Sequence, residues 1–224
     1  VEERKIFDNK IDCFRFIFQM YAANTGSPVH TLWRQDIIKI AKAILQGEKI
    51  PPKFIFREHP PFVDFLDFSL VVNHAHFYLV SNIENGIPLY MQKLNTGFAK
   101  YFNLKYGRKG ALFGSRYHGV IVKTQFQSDA VSRYVSLINP LDVFQSGWRE
   151  DGLKNWKEAF NFLENYQFSS FPDKIGKRKS IILAPVDILE KYLTISPQNT
   201  NVYKQFVEDF LKQRSDVPQK LFLE

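Results

Sequence analysis

Cysteine is nearly missing from this chain of 224 residues, where Cys13 stands alone. An internal disulfide is thereby excluded, a cysteine-rich zinc site is disfavoured, and a reducing, intracellular setting is favoured. Long hydrophobic runs are missing too. No stretch of roughly 18 apolar residues occurs and no basic-then-apolar leader opens the chain, so neither a membrane span nor a signal peptide is expected. A His-Glu-x-x-His motif is absent, which argues against a zincin, and there is no internal repeat or low-complexity tract. Acidic residues are the scarcer charge: 23 Asp and Glu stand against 30 Lys and Arg, for a formal charge of +7. That surplus points weakly to an anionic partner such as nucleic acid. With 45% hydrophobic residues the chain carries enough apolar surface for a folded core.

The central feature is the run Leu70-Val-Val-Asn-His-Ala-His-Phe-Tyr-Leu-Val80. It reads as a buried strand on which His74 and His76 occupy alternate positions, so both imidazoles share one face. Around it, apolar spacing predicts helices over 11–23, 33–45, 87–106, 127–138, 156–163, 180–193 and 201–211, and strands over 65–72 and 75–80. The aromatic face of the first helix suits packing on a sheet. Asn139-Pro140 reads as a helix stop. The run 111–123, with Val120, Ile121 and Val122, reads as a further strand. With the basic turn before it, that run interleaves Arg108, Lys109, Arg116, His118 and Lys123 with Phe113 and Tyr117. Such a mixture suits either phosphate contacts with base stacking or an ordinary solvated edge strand. Lys177, Arg178 and Lys179 form a second basic group beside Gly176.

Taken alone, His-x-His on a strand is either a packed, hydrogen-bonded pair or half of a divalent-metal site. His30, His59 and His118 have no diagnostic spacing to it. A metal there would polarise a phosphodiester, and a hydroxyl side chain or water would serve as nucleophile. Composition does not choose among the ten tyrosines.

Four blocks in order resemble the hallmarks of the single-tyrosine HUH transposases, and most closely the REP-associated tyrosine transposases. They are Val72-Asn-His-Ala-His-Phe-Tyr-Leu79, Gly110-Ala-Leu-Phe-Gly-Ser-Arg-Tyr117, Arg133-Tyr-Val-Ser-Leu-Ile-Asn-Pro140 and Tyr166-Gln-Phe-Ser-Ser170. The resemblance implies an α/β, ferredoxin-like HUH domain with a central antiparallel sheet and extra C-terminal helices. It implies a core over 1–140, with an inserted helix near 33–45, followed by a helical wrap over 141–224. Relatives begin with a strand that this sequence does not show, so residues before Val1 or another chain are expected to complete the sheet.

The resemblance also implies the chemistry. His74 and His76 would bind Mg²⁺ or Mn²⁺, and Tyr134 would attack single-stranded or hairpin DNA to leave a 5′-phosphotyrosine and a free 3′-hydroxyl. The third ligand in relatives lies one helical turn after the tyrosine. Here that position is Ile138, which cannot coordinate, so Asn139 is the substitute if the helix changes pitch. Arg108, Lys109, Arg116, Tyr117, Lys123, Lys177, Arg178 and Lys179 would contact the DNA. A cytoplasmic, nucleoid-associated prokaryotic setting follows, with either a homodimer or a monomer. The alternative is a hairpin-binding protein with weakened or lost nuclease activity, motivated by Ile138.

Overall fold

Asn9 starts the first helix: its side-chain oxygen accepts from the Ile11 amide at 2.8 Å, satisfying a donor that helix geometry leaves unpaired. The computed structural model describes residues 5–28, 34–51, 54–114, 116–194 and 200–216. Its element order is α1 (Lys10–Thr25), β1 (Gly26–Pro28), α2 (Arg34–Gln46), β2 (Ile55–Arg57), β3 (Val63–Val71), β4 (His74–Ser81), α3 (Gly86–Lys105) and α4 (Gln125–Arg133). A π-turn (Tyr134–Ile138) follows, then α5 (Asn139–Phe144), α6 (Trp148–Asp151), α7 (Trp156–Asn165), α8 (Phe171–Lys174), α9 (Val186–Tyr192) and α10 (Thr200–Asp216). Among the described residues no helix is long and apolar enough to cross a membrane.

Two compact units divide the chain, and neither is one continuous stretch. The first comprises Val1–Phe65, Leu79–Val122 and Ser180–Ala184; the second comprises Leu66–Tyr78, Lys123–Lys179 and Pro185–Glu224. Residues 141–179 therefore group with the histidine pair and the tyrosine helix.

In the first unit α1 packs on α2 and α3. Phe14, Phe16, Ile17, Phe18 and Met20 are all buried, so α1 is covered on nearly every side, as a helix that is apolar all round must be. Phe16 stands edge-on to Phe98 of α3. Buried Asp12 is satisfied there by the hydroxyls of Tyr101 and Tyr106 and by Lys105. The aromatic face expected to lie on a sheet thus lies on helices.

The ferredoxin-like expectation is overturned. The protein is mostly helical, and its described strands form only two-stranded antiparallel pairs, β1 with β2 and the β3–β4 hairpin, without a central closed sheet. The reason is visible at 111–123. No described residue there is in a strand; Val120 is 89% and Ile121 79% exposed. A β-branched run becomes a strand only where a ladder partner takes its amides and carbonyls, and none does so here among the described residues.

In the second unit, β3 is buried and β4 is the half-exposed member of the hairpin. On its other edge β3 meets the Tyr166–Ser170 block. Leu70 donates its amide to Phe168 O and Ser170 its amide to Phe68 O, both at 2.9 Å, and the Tyr166 hydroxyl donates to Leu70 O at 2.8 Å. Helices α5, α7, α8 and α10 close over a core containing Leu137, Leu141, Leu163, Phe171, Val207 and Leu211.

Candidate metal and nucleophile site

β4 supplies one wall of the site. His74 and His76 do share a face, although the strand is not buried: His74 is exposed and His76 half-buried. Their Nε2 atoms converge to 2.7 Å, while His74 Nδ1 lies 2.6 Å from Asn73 Oδ1. Since an amide oxygen only accepts, Nδ1 of His74 carries the proton and its Nε2 accepts from the Nε2–H of His76; the two rings are hydrogen-bonded to each other, and a metal ion would take the place of the shared proton. Burial lowers the His74 pKa; burial, then His74 itself and Arg149, pull His76 down to about 4 against the opposing pull of Asp142. Both imidazoles are therefore neutral at neutral pH, the form that binds metal.

Tyr78, two residues beyond His76 on the same face, pins this strand to the tyrosine helix. Its hydroxyl lies 2.8 Å from Ser128 Oγ in α4, and Ser128 Oγ in turn donates to Tyr192 O. One and a half turns later α4 delivers Tyr134. The Tyr134 ring stands edge-on to His76, with centroids 5.5 Å apart and an 89° interplanar angle, and the side chain is 40% exposed.

Asn139-Pro140 does not end the helix. Arg133, Tyr134, Ile138 and Asn139 all keep right-handed helical backbone angles, and α5 runs on to Phe144. A proline inside a helix lacks an amide and crowds the carbonyl four residues earlier, here that of Ser136. The widened π-turn over 134–138 accommodates it. Within this turn the Asn139 amide donates to Tyr134 O, five residues back, and the Ser136 hydroxyl donates to Ser132 O at 2.7 Å. The extra residue shifts the register of the turn, so that the backbone amide of Asn139, not that of Ile138, bonds back to the tyrosine carbonyl. Asn139 is only 2% exposed, and its Nδ2 has no hydrogen-bond partner. A buried amide nitrogen left so has N–H donors without an acceptor.

Two further residues, invisible to the motif reading, complete the surroundings. Asp142 of α5 accepts from Trp148 Nε1 at 2.8 Å and from Arg149 Nε and Nη2 at 3.1 and 2.6 Å. The Arg149 guanidinium lies 5.6 Å from the Tyr134 ring centroid. Hydrogen bonds to Asp142, and secondarily the Tyr134 phenol, hold its pKa above the ordinary arginine value. Nothing in the spacing of 142 and 149 marks them, because the two meet only through the turn between α5 and α6.

A divalent ion fits this donor set in part. Two imidazoles provide nitrogen donors, and among the described residues no group of three or more His, Cys, Asp or Glu is placed to hold a metal ion. His74 and His76 are the residues that would hold it, with water or substrate oxygen filling the remaining positions.

The proposed DNA contacts separate into distinct environments. Arg108, Lys109, Arg116 and Tyr117 belong to the first unit and Lys123 to the second. Lys109, Arg116, Tyr117 and Lys123 are exposed, as is His118, and Arg108 is half-buried against Asn103 and the Phe102 ring. Lys177 pairs with Glu164, and Lys179 is exposed. Arg178 is different: its guanidinium pairs with Asp173 and donates to the carbonyls of Gln167 and Ser169, with the side chain 10% exposed. It braces the Tyr166–Ser170 block and has no free fork for a phosphate. His59 stacks on Phe62 and contacts Lys93, and His30 lies outside the described residues.

The π-turn makes a testable prediction. Pro140→Ala restores an amide and removes the clash, which should stabilise the helix by up to about 3 kcal/mol. Regular α geometry would change the register of Asn139 relative to Tyr134, so a ligand role for Asn139 predicts that Mn²⁺ affinity falls as thermal stability rises. Titration of Mn²⁺ by electron paramagnetic resonance, beside a melting curve, checks this; unchanged affinity with a more stable fold would remove Asn139 from the ligand set.

No family model matches the chain, and neither a curated protein nor a solved structure shows significant similarity to it.

Proposed function

We propose that this protein is a metal-dependent single-strand DNA endonuclease and strand transferase that uses Tyr134 as nucleophile, in the manner of the single-tyrosine HUH transposases it resembles. The observation carrying this reading is the meeting, within one unit of one chain, of two imidazoles with converging Nε2 atoms and a tyrosine edge-on to one of them. The backbone bond from the Asn139 amide to Tyr134 O, five residues back, is compatible with Asn139 as third ligand; a hairpin-binding protein without nuclease activity is the second reading, motivated by Ile138.

In the reaction, the Tyr134 oxygen forms a bond to phosphorus and the bond from phosphorus to the 3′ oxygen breaks. The phenol loses its proton and the leaving 3′ oxygen gains one, giving a 5′-phosphotyrosine and a free 3′-hydroxyl. Attack by a DNA 3′-hydroxyl reverses the step, so rejoining needs no nucleotide cofactor. Mg²⁺ or Mn²⁺, when bound, supplies positive charge against the phosphate oxygens. His74 and His76 would hold it, and the Tyr78–Ser128 contact keeps the strand in register with the tyrosine helix. Tyr134 packs edge-on against His76 of the same chain, which supports use of the tyrosine in cis.

The test is incubation with a pool of single-stranded hairpin oligonucleotides carrying random flanks, with and without Mn²⁺, followed by denaturing electrophoresis. A Mn²⁺-dependent, SDS-resistant protein–DNA product is expected. Cleavage without attached protein, or no product across the pool, would overturn the reading.

A further inference from the structure

We infer that Arg149 is the phosphate-binding residue of this site: its guanidinium takes a non-bridging oxygen of the phosphodiester presented to Tyr134, and Asp142 is the brace that aims it. The inference rests on the reading of Tyr134 as nucleophile for its place in the reaction, but its geometry stands independently.

An ordinary exposed arginine–carboxylate pair contributes little and holds no fixed orientation. This pair is built differently. Asp142 engages Nε and Nη2 together, the planar two-point arrangement that locks a guanidinium in position. The carboxylate is itself held by the indole of Trp148, which is 3% exposed and part of the core. A residue anchored in the core thus fixes a carboxylate, which fixes an arginine, and that arginine lies on the proposed nucleophile. Gly147 provides the bend that permits this, with a φ of +77° just before α6.

The donor count leaves capacity for a ligand. Guanidinium has five N–H groups. Asp142 takes two of them and the Tyr134 phenol lies beside the guanidinium; among the described residues no other acceptor meets the remaining donors, at a side chain that is 40% exposed. Charge points the same way: Asp142 is offset by Arg149, so a phosphodiester meets no uncompensated carboxylate there. A fork already fixed beside the attacking oxygen loses little freedom on binding a tetrahedral oxyanion. The ligand class is therefore a phosphodiester monoanion, and Arg149 is a binding and catalytic contact while Asp142 and Trp148 are positioning residues.

The test uses a probe with one phosphate only, thymidylyl-(3′→5′)-thymidine, and its uncharged methylphosphonate counterpart. Both are titrated by NMR into the full chain in Mn²⁺. The parent protein should prefer the charged probe by about tenfold or more, the scale of a charge-assisted contact. In Arg149→Ala that preference should fall to near unity, and Arg149→Lys should retain part of it. Mn²⁺ affinity, measured in parallel, should not change between parent and Arg149→Ala. A merely structural arginine would weaken both probes equally and leave their ratio intact, and that result overturns the inference, as does an absence of any preference in the parent. Failure of the covalent-adduct assay with the ratio behaving as expected would instead overturn the nuclease reading and leave a phosphodiester-binding site.

Discussion

Tyr134→Phe is expected to eliminate the SDS-resistant protein–DNA product, a loss of more than about 10³-fold, while hairpin binding and Mn²⁺ affinity stay at parental levels. The change removes one oxygen. The ring remains, with its edge-on packing against His76 and its face toward Arg149, so the histidine pair keeps its surroundings. Because Tyr134 is 40% exposed and its side chain lies outside the core residues, folding should be affected little. Loss of the product with binding intact assigns the hydroxyl to bond making. An adduct of parental intensity would assign the nucleophile to another residue. His76→Ala should suppress the same product but by a different route, through Mn²⁺ affinity, so a metal titration separates the two variants.

The second large effect lies beneath the site. Lys174 and Asp67 form an ion pair at 3.0 Å with the lysine side chain 8% and the aspartate fully shielded from solvent. Ser170 Oγ donates to Asp67 at 2.7 Å, and Lys174 also donates to Ser132, two residues before Tyr134. Lys174→Met leaves the Asp67 carboxylate buried without its counter-charge, and a loss of about 3–5 kcal/mol is expected. That is a large fraction of the roughly 5–15 kcal/mol available to a typical domain. Asp67→Leu combined with Lys174→Met removes both charges and should recover much of the loss, because the penalty is that of the orphaned ion. Urea midpoints compare the three proteins; a Lys174→Met cost below about 1 kcal/mol would show that the pair carries little. The same network joins β3 to the tyrosine helix through Ser132. The double variant should therefore form adduct more slowly than the parent even where its stability is restored.

Much of the site was legible in the chain. Alternation on a strand placed His74 and His76 on one face, and their Nε2 atoms do converge. Apolar spacing located α1, α3 and α7 within a few residues of their bounds. Where the reading failed, a tertiary contact overrode a local signal. Asn139-Pro140 carries a strong stop signal, yet the helix continues because Leu137 and Leu141 on either side are both fully buried in one core, and a π-turn is the smaller concession. The run at Val120 and Ile121 has strand propensity, yet propensity forms no ladder without a partner. Arg178 looked like part of a basic surface, but the carbonyls of Gln167 and Ser169 and the carboxylate of Asp173 claim its donors.

By itself, the amino-acid order determined what periodicity and residue type can encode: which segments coil and which two imidazoles share a strand face; the choice of Tyr134 came from the resemblance alone. Only the tertiary structure decided that the protein is mostly helical, that the helix widens at 134–138 and runs on past Pro140, and that Asp142 and Trp148 hold Arg149 over the Tyr134 ring. Those outcomes depend on which surfaces remain to be buried once neighbouring elements have packed, and such competition between distant segments leaves no local pattern to read.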